Sequence, residues 1–225
     1  MVLLPLLERA SSRCAAVVGT VKNAGKTVTL NALVAEAGGS IDRRGFADAG
    51  LIKSIILATG MALGAVPEEV ARKTAHLVEI FSLPLWRGKL PGFSSILLGG
   101  RWVSLGEGTL LGDEKRLAGS IPAGAGALFL RGALTGRLLL ALKEEKKFLP
   151  IVLKSPSSFF AGQEACLSYR GGGGEIMVEA RPDILVVTTN PWGHDGLRCP
   201  ADLAMAVKKA VPGLPVVDVV KKMVL

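Results

Sequence analysis

The stretch Arg13-Cys-Ala-Ala-Val-Val-Gly19-Thr20-Val21-Lys22-Asn23-Ala24-Gly25-Lys26-Thr27 decides the fold. A short apolar run over 15–18 reads as a strand. It passes through a glycine-bounded turn into Lys26-Thr27, after which Val28, Leu30, Leu33 and Val34 carry the spacing of an amphipathic helix over 26–37. Strand, turn, Gly-Lys-Thr, helix is the layout of a phosphate-binding loop. Small residues at Ala24 and Gly25 let backbone N–H groups converge on phosphate oxygens, and the helix N-terminus adds unpaired donors and partial positive charge. In such a loop Lys26 reaches the outer phosphates and the Thr27 hydroxyl holds Mg²⁺. Five residues separate Gly19 from Gly25 where the common pattern has four, so the loop is a variant. Thr20, Lys22, Asn23 and Val28 complete the expected nucleotide contacts.

Outward from this stretch, short apolar runs alternate with helical patterns, the signature of a parallel sheet covered by helices. Strands are expected over 15–18, 54–59, 95–98, 127–130, 151–153, 176–178, 183–188 and 215–219, with a further hairpin strand over 101–105. Helices are expected over 26–37, 68–81, 135–147 and 201–210. The expected fold is α/β, of the P-loop nucleoside triphosphatase type, with a mostly parallel sheet flanked by helices in a single domain over 1–225. A finer division gives a phosphate-loop lobe (1–88) and a second α/β lobe (119–225), joined by a glycine-rich segment (89–118). The glycine run at 171–174 reads as a flexible loop.

Nucleotide chemistry also needs an acid to orient Mg²⁺ or water. Among Glu36, Asp42 and Asp48, the most site-like setting belongs to Asp42, with Arg43 and Arg44 beside it as phosphate contacts. Asp42 is the expected catalytic and Mg²⁺ partner of Lys26 and Thr27; a charged surface turn is the alternative. The apolar run over 183–188 leads into Thr189-Asn190-Pro191, where strand ends face ligands in open α/β sheets. Asn190, with Pro191, is the candidate contact to a base edge, or else simply a turn. His76 and His194 fit no metal pattern, and the serines at 155, 157 and 158 fit no nucleophile elbow.

The 225 residues carry 27 Lys+Arg against 19 Asp+Glu, a net charge of +8, and 49% are hydrophobic. That composition excludes a disordered tail and a disulfide mini-protein. A mean hydropathy of +0.43 raises the question of a membrane span, but Glu8 and Arg9 close the first apolar run and Lys53, Gly60 and Gly64 break the next. Three scattered cysteines suit a reducing compartment, so a cytoplasmic protein is expected. Few aromatics and short lysine pairs among acids argue against nucleic acid, whereas the surplus charge suits a polyphosphate ligand.

Several segments together resemble the P-loop subunit of the lysine 5,6-aminomutase reactivase: Val18-Gly-Thr-Val-Lys-Asn-Ala-Gly-Lys-Thr-Val-Thr-Leu-Asn31, Gly39-Ser-Ile-Asp-Arg-Arg44, Ile56-Leu-Ala-Thr-Gly60, Lys73-Thr-Ala-His-Leu-Val78 with Phe81-Ser-Leu-Pro84, Gly132-Ala-Leu134, Thr189-Asn-Pro191 and Pro215-Val-Val-Asp218. The resemblance implies an ATP- and Mg²⁺-dependent accessory protein that works with a second reactivase subunit on a cobalamin-dependent aminomutase. Where that family carries a long segment after the first helix, a loop separates Ala37 from Ile41 here, and Gly38 stands in the place of an aspartate. The Gly-Thr and Gly-Lys-Thr of the loop are also similar to dethiobiotin synthetase, which implies a small-molecule ATP-dependent ligase or kinase with substrate near Asp42, Arg43 and Arg44. A non-catalytic interaction protein with a relic loop is the third alternative. A homodimer is compatible with all three.

Overall fold

A computed structural model describes residues 2–9, 15–20, 24–37, 53–61, 65–105, 113–193, 196–197 and 200–224. Along the chain the first elements are α1 (Leu4–Arg9), β1 (Ala15–Gly19), α2 (Lys26–Glu36), β2 (Ser54–Gly60) and α3 (Pro67–Phe81). Next come β3 (Ser95–Leu98), β4 (Arg101–Ser104), α4 (Glu114–Ser120), β5 (Ala127–Leu130), β6 (Leu134–Thr135), α5 (Gly136–Glu144), β7 (Ile151–Leu153), β8 (Phe159–Phe160), α6 (Gln163–Gly171) and β9 (Ile176–Val178). The last are β10 (Asp183–Asn190), β11 (Trp192–Gly193), β12 (Gly196–Leu197), α7 (Pro200–Ala210), β13 (Val216–Asp218) and β14 (Met223–Val224).

The α/β class holds, with a different division of the chain from the one expected. Residues 1–81 and 182–225 form one compact unit and residues 82–181 a second. The segment 89–118, expected as a connector, contributes β3 and β4 to the second unit's sheet, and the C-terminal residues return to the first unit. The reason is strand pairing: β10 lies beside β2 in parallel, although a whole unit separates them in sequence.

In the first unit the sheet order is β1-β2-β10-β13-β14, parallel except for β14. β2, Ser-Ile-Ile-Leu-Ala-Thr-Gly, is buried along its whole length, as a strand covered on both faces must be. Ile55 and Leu57 pack with Val70, Ala71, Leu203 and Val207 of α3 and α7. Ile56, on the other face, packs with Leu3, Leu33, Val186 and Val217 under α1 and α2. A register shift in β10 between Ile184 and Val186 turns both Leu185 and Val186 toward the α1/α2 side. Each fully buried Ile or Leu contributes on the order of 1.5–3 kcal/mol. Glu36 at the end of α2 accepts the backbone N–H groups of Val2, Leu3 and Leu4 at 2.8–2.9 Å, tying the N-terminal segment to this face.

In the second unit the order is β4-β3-β5-β7-β9: β3 is antiparallel to β4 and β5, while β5, β7 and β9 are parallel. Gly99 and Gly100 take φ of 54° and 78° in the two-residue β3–β4 turn, a backbone that demands glycine. The glycine run after α6 is a built cap. Gly173, at φ 95°, donates to Arg170 O and Gly174 donates to Tyr169 O, closing the helix in a Schellman arrangement. A Cβ on Gly174 would lie 2.2 Å from the ring of the fully buried Tyr169, so close packing requires glycine here as well.

Candidate functional site

Gly19, Gly60 and Asn190 end β1, β2 and β10 at one edge of the first unit's sheet, with Gly60 in register with Asn190. Ala24 and Gly25 lead into α2 at this edge. Gly25 takes φ 94°, and a Cβ there would meet the Asn190 Cβ at 2.6 Å. A Cβ on Gly60 would lie 3.0 Å from Ala24 O and 2.9 Å from Asn190 O. Glycine at 25 and 60 therefore lets the turn settle directly onto the ends of the two central strands.

Gly25 offers no side chain to cap α2. The first N–H groups of the helix have no partner within it, and its positive dipole end opens on the turn. Lys26 adds a full charge at the same place. Its side chain folds back over Gly19, with Nζ 2.8 Å from where a Cβ on Gly19 would stand. Thr27 and Val28 are exposed on the first turn, and Ala24 is buried beneath it. A helix N-terminus and one lysine thus stand at the ends of β1, β2 and β10.

Threonines fix the loop from behind. Thr74 of α3 donates to Val70 O at 2.8 Å and so accepts from Thr59, 2.9 Å away; the Thr59 proton is thereby committed, and Thr59 accepts from Thr20 at 3.1 Å. The Thr20 backbone N–H donates to Ala58 O at 2.9 Å. Both Thr20 donors are thus spent inside the protein: Thr20, expected as a nucleotide contact, anchors the loop and has no donor left for a phosphate. On the opposite face Thr29 of α2 bonds Thr188 of β10 at 2.8 Å, pinning the helix across the strands.

Asn190 is 7% exposed and lies under Gly25, with Oδ1 accepting from Trp192 N at 3.4 Å. Its amide is turned to the loop and away from solvent, so it supports the turn from below; Pro191 is buried beside it. Glu36 is committed to the backbone of residues 2–4. Burial raises its pKa, but the three N–H bonds outweigh burial and hold it below the ordinary carboxylate value. Asp218, buried at the end of β13, accepts from Val220 and Lys221 N–H at 2.9 and 3.0 Å and organises that turn. Among the described residues, β1, β2 and β10 thus end in Gly19, Gly60 and Asn190, and no metal-binding group of three acidic, His or Cys residues occurs. Lys22, Asn23, Asp42, Arg43 and Arg44 lie outside the described residues, as does His194. Sequence reasoning missed Gly60 and the threonines at 29, 59, 74 and 188; their signal was a threonine or glycine closing an apolar strand, or a threonine inside an apolar helix stripe.

No protein-family model, curated protein or solved structure matches the chain. No helix among the described residues is long and apolar enough to cross a membrane.

Proposed function

We propose that the first unit is a P-loop-type nucleotide-binding domain that holds ATP with Mg²⁺, and that the protein is an accessory factor using the nucleotide state to act on a protein partner. The observation that carries this reading is Gly25 at φ 94° seating an uncapped helix N-terminus and Lys26 on the carboxyl ends of the parallel strands. Ala24, Gly25 and Lys26 would cradle the phosphates, and Thr27 would hold Mg²⁺ together with phosphate oxygens. That ion fits the site only in part, because Mg²⁺ usually draws on one or two carboxylates, and Asp42 is the proposed source, with Arg43 and Arg44 on phosphate. The nucleotide would supply phosphoryl chemistry, and this chain positions and neutralises it.

The resemblance stated above points to a cobalamin-dependent aminomutase or a second reactivase subunit as partner. Phosphate release distinguishes this reading from a ligase or kinase. Release from ATP that rises only when an aminomutase or its reactivase partner is added supports it. Release that depends on a small carboxylate or amine, with no protein added, overturns it.

A further inference from the structure

The second unit carries a cavity of about 320 Å³ at the carboxyl edge of its own three parallel strands. Leu130, Leu153 and Val178 are in register at the ends of β5, β7 and β9. The residues that follow them, Arg131, Lys154 and Glu179, therefore form one charged row, with neighbouring strands about 4.8 Å apart. All three line the cavity, and Phe129, Leu90 and Pro91 supply its apolar wall. Arg131 is held in place: it donates from a guanidinium N–H to Gly92 O at 3.0 Å, its backbone N–H donates to Ser94 Oγ at 3.1 Å, and its guanidinium lies 5.7 Å over the Phe93 ring. Among the described residues, Lys154 and Glu179 form neither an ion pair nor a side-chain hydrogen bond.

We propose that this cavity is a second binding site, separate from the nucleotide loop, for a small hydroxycarboxylic acid with an apolar side chain. Two cations and one carboxylate leave the row at +1, which a single carboxylate neutralises. The Arg131 fork and Lys154 receive that carboxylate, and an Arg fork matches carboxylate geometry in pairs of hydrogen bonds. Glu179 only accepts hydrogen bonds when ionised, so it selects a ligand that also carries a hydroxyl donor. The apolar wall takes the side chain. The volume stands at the lower end of ligand cavities, and open α/β sheets bind ligands at this edge.

The test is an amide-resolved NMR titration of the whole chain with 2-hydroxyisocaproate, with isocaproate and inorganic phosphate as comparison probes. The wild type is expected to show saturable shifts at Arg131, Lys154 and Glu179, tighter for 2-hydroxyisocaproate than for isocaproate. Lys154→Gln removes no internal bond, and weakens both acids by roughly tenfold, the scale of one charge-assisted contact. Glu179→Leu, which has no acceptor, removes the preference for the hydroxy acid. Lys209→Gln on α7 changes nothing. The proposal is overturned if these amides do not shift, if Lys154→Gln binds as wild type does, or if phosphate produces the same saturable shifts. None of these readouts depends on ATP, so failure here leaves the nucleotide reading standing, and the reverse also holds.

Discussion

Gly25 lies directly on Asn190: a single Cβ added to the glycine would approach the Asn190 Cβ to 2.6 Å, at a backbone φ of 94° that side chains rarely adopt. Steric and conformational demands coincide at one position. Gly25→Ala is therefore expected to displace the start of α2 and lower affinity for ATP by tenfold or more, with a conformational cost of roughly 1–2 kcal/mol on top of the clash. Asn190→Ala, which opens space under the loop, should weaken binding less. Calorimetry for binding and urea unfolding for stability separate the two effects. Unchanged nucleotide affinity in Gly25→Ala would contradict the loop geometry described above.

The Thr20–Thr59–Thr74 chain makes a second expectation. Thr59→Val keeps the shape, removes the central hydroxyl and leaves the Thr20 hydroxyl without its buried acceptor. The loss should be about 1–3 kcal/mol in urea unfolding. Thr74→Val should cost a similar amount, and the double variant less than the sum, because the two share one chain. Strict additivity would mean that the threonines act independently.

Glu36 gives a pH dependence. Its folded pKa lies below the unfolded value, so its contribution is fully present above the ordinary carboxylate pKa near 4.5 and is lost as pH falls through the lowered folded value. Protection of the Val2, Leu3 and Leu4 amides, taken relative to their intrinsic exchange rates at each pH, should fall steeply on acidification below that point. Glu36→Gln should show fast exchange there already at neutral pH, with little change in α3 or α7.

The glycine cap of α6 predicts a cost in the second unit. Gly174→Ala drives a methyl group into the Tyr169 ring, which is fully buried and bonded to the Leu149 backbone carbonyl at 2.7 Å. Overpacking of this kind costs typically about 1–3 kcal/mol. Gly171→Ala, where a Cβ would meet open space, should be nearly silent. Thermal unfolding of the two variants side by side makes the comparison.

Much of the secondary structure was legible because local pattern and packing agree. β2 and β10 are apolar runs of strand length, and α3 shows a helical stripe behind Pro67 with Glu68 and Glu69 in its first turn. The pairing of β2 with β10 across the second unit was not legible, since no local pattern records which distant strand will lie alongside. The 171–174 run was misread as flexible because glycine's freedom and glycine's small size look alike in sequence; only the Tyr169 ring reveals which one is used. The start of α2 was readable from Gly25-Lys26-Thr27, whereas the inward commitment of Thr20 depends on Thr59 and Thr74, residues far away along the chain.

The most direct measurement is a calorimetric titration of the full chain with ATP in the presence and absence of Mg²⁺, for wild type and Lys26→Ala. The account predicts saturable binding at one site in wild type, tighter with Mg²⁺. Lys26→Ala should bind at least roughly tenfold more weakly, the scale of one charged contact to phosphate. Equal affinity in the two proteins, or no binding to the wild type, would contradict it.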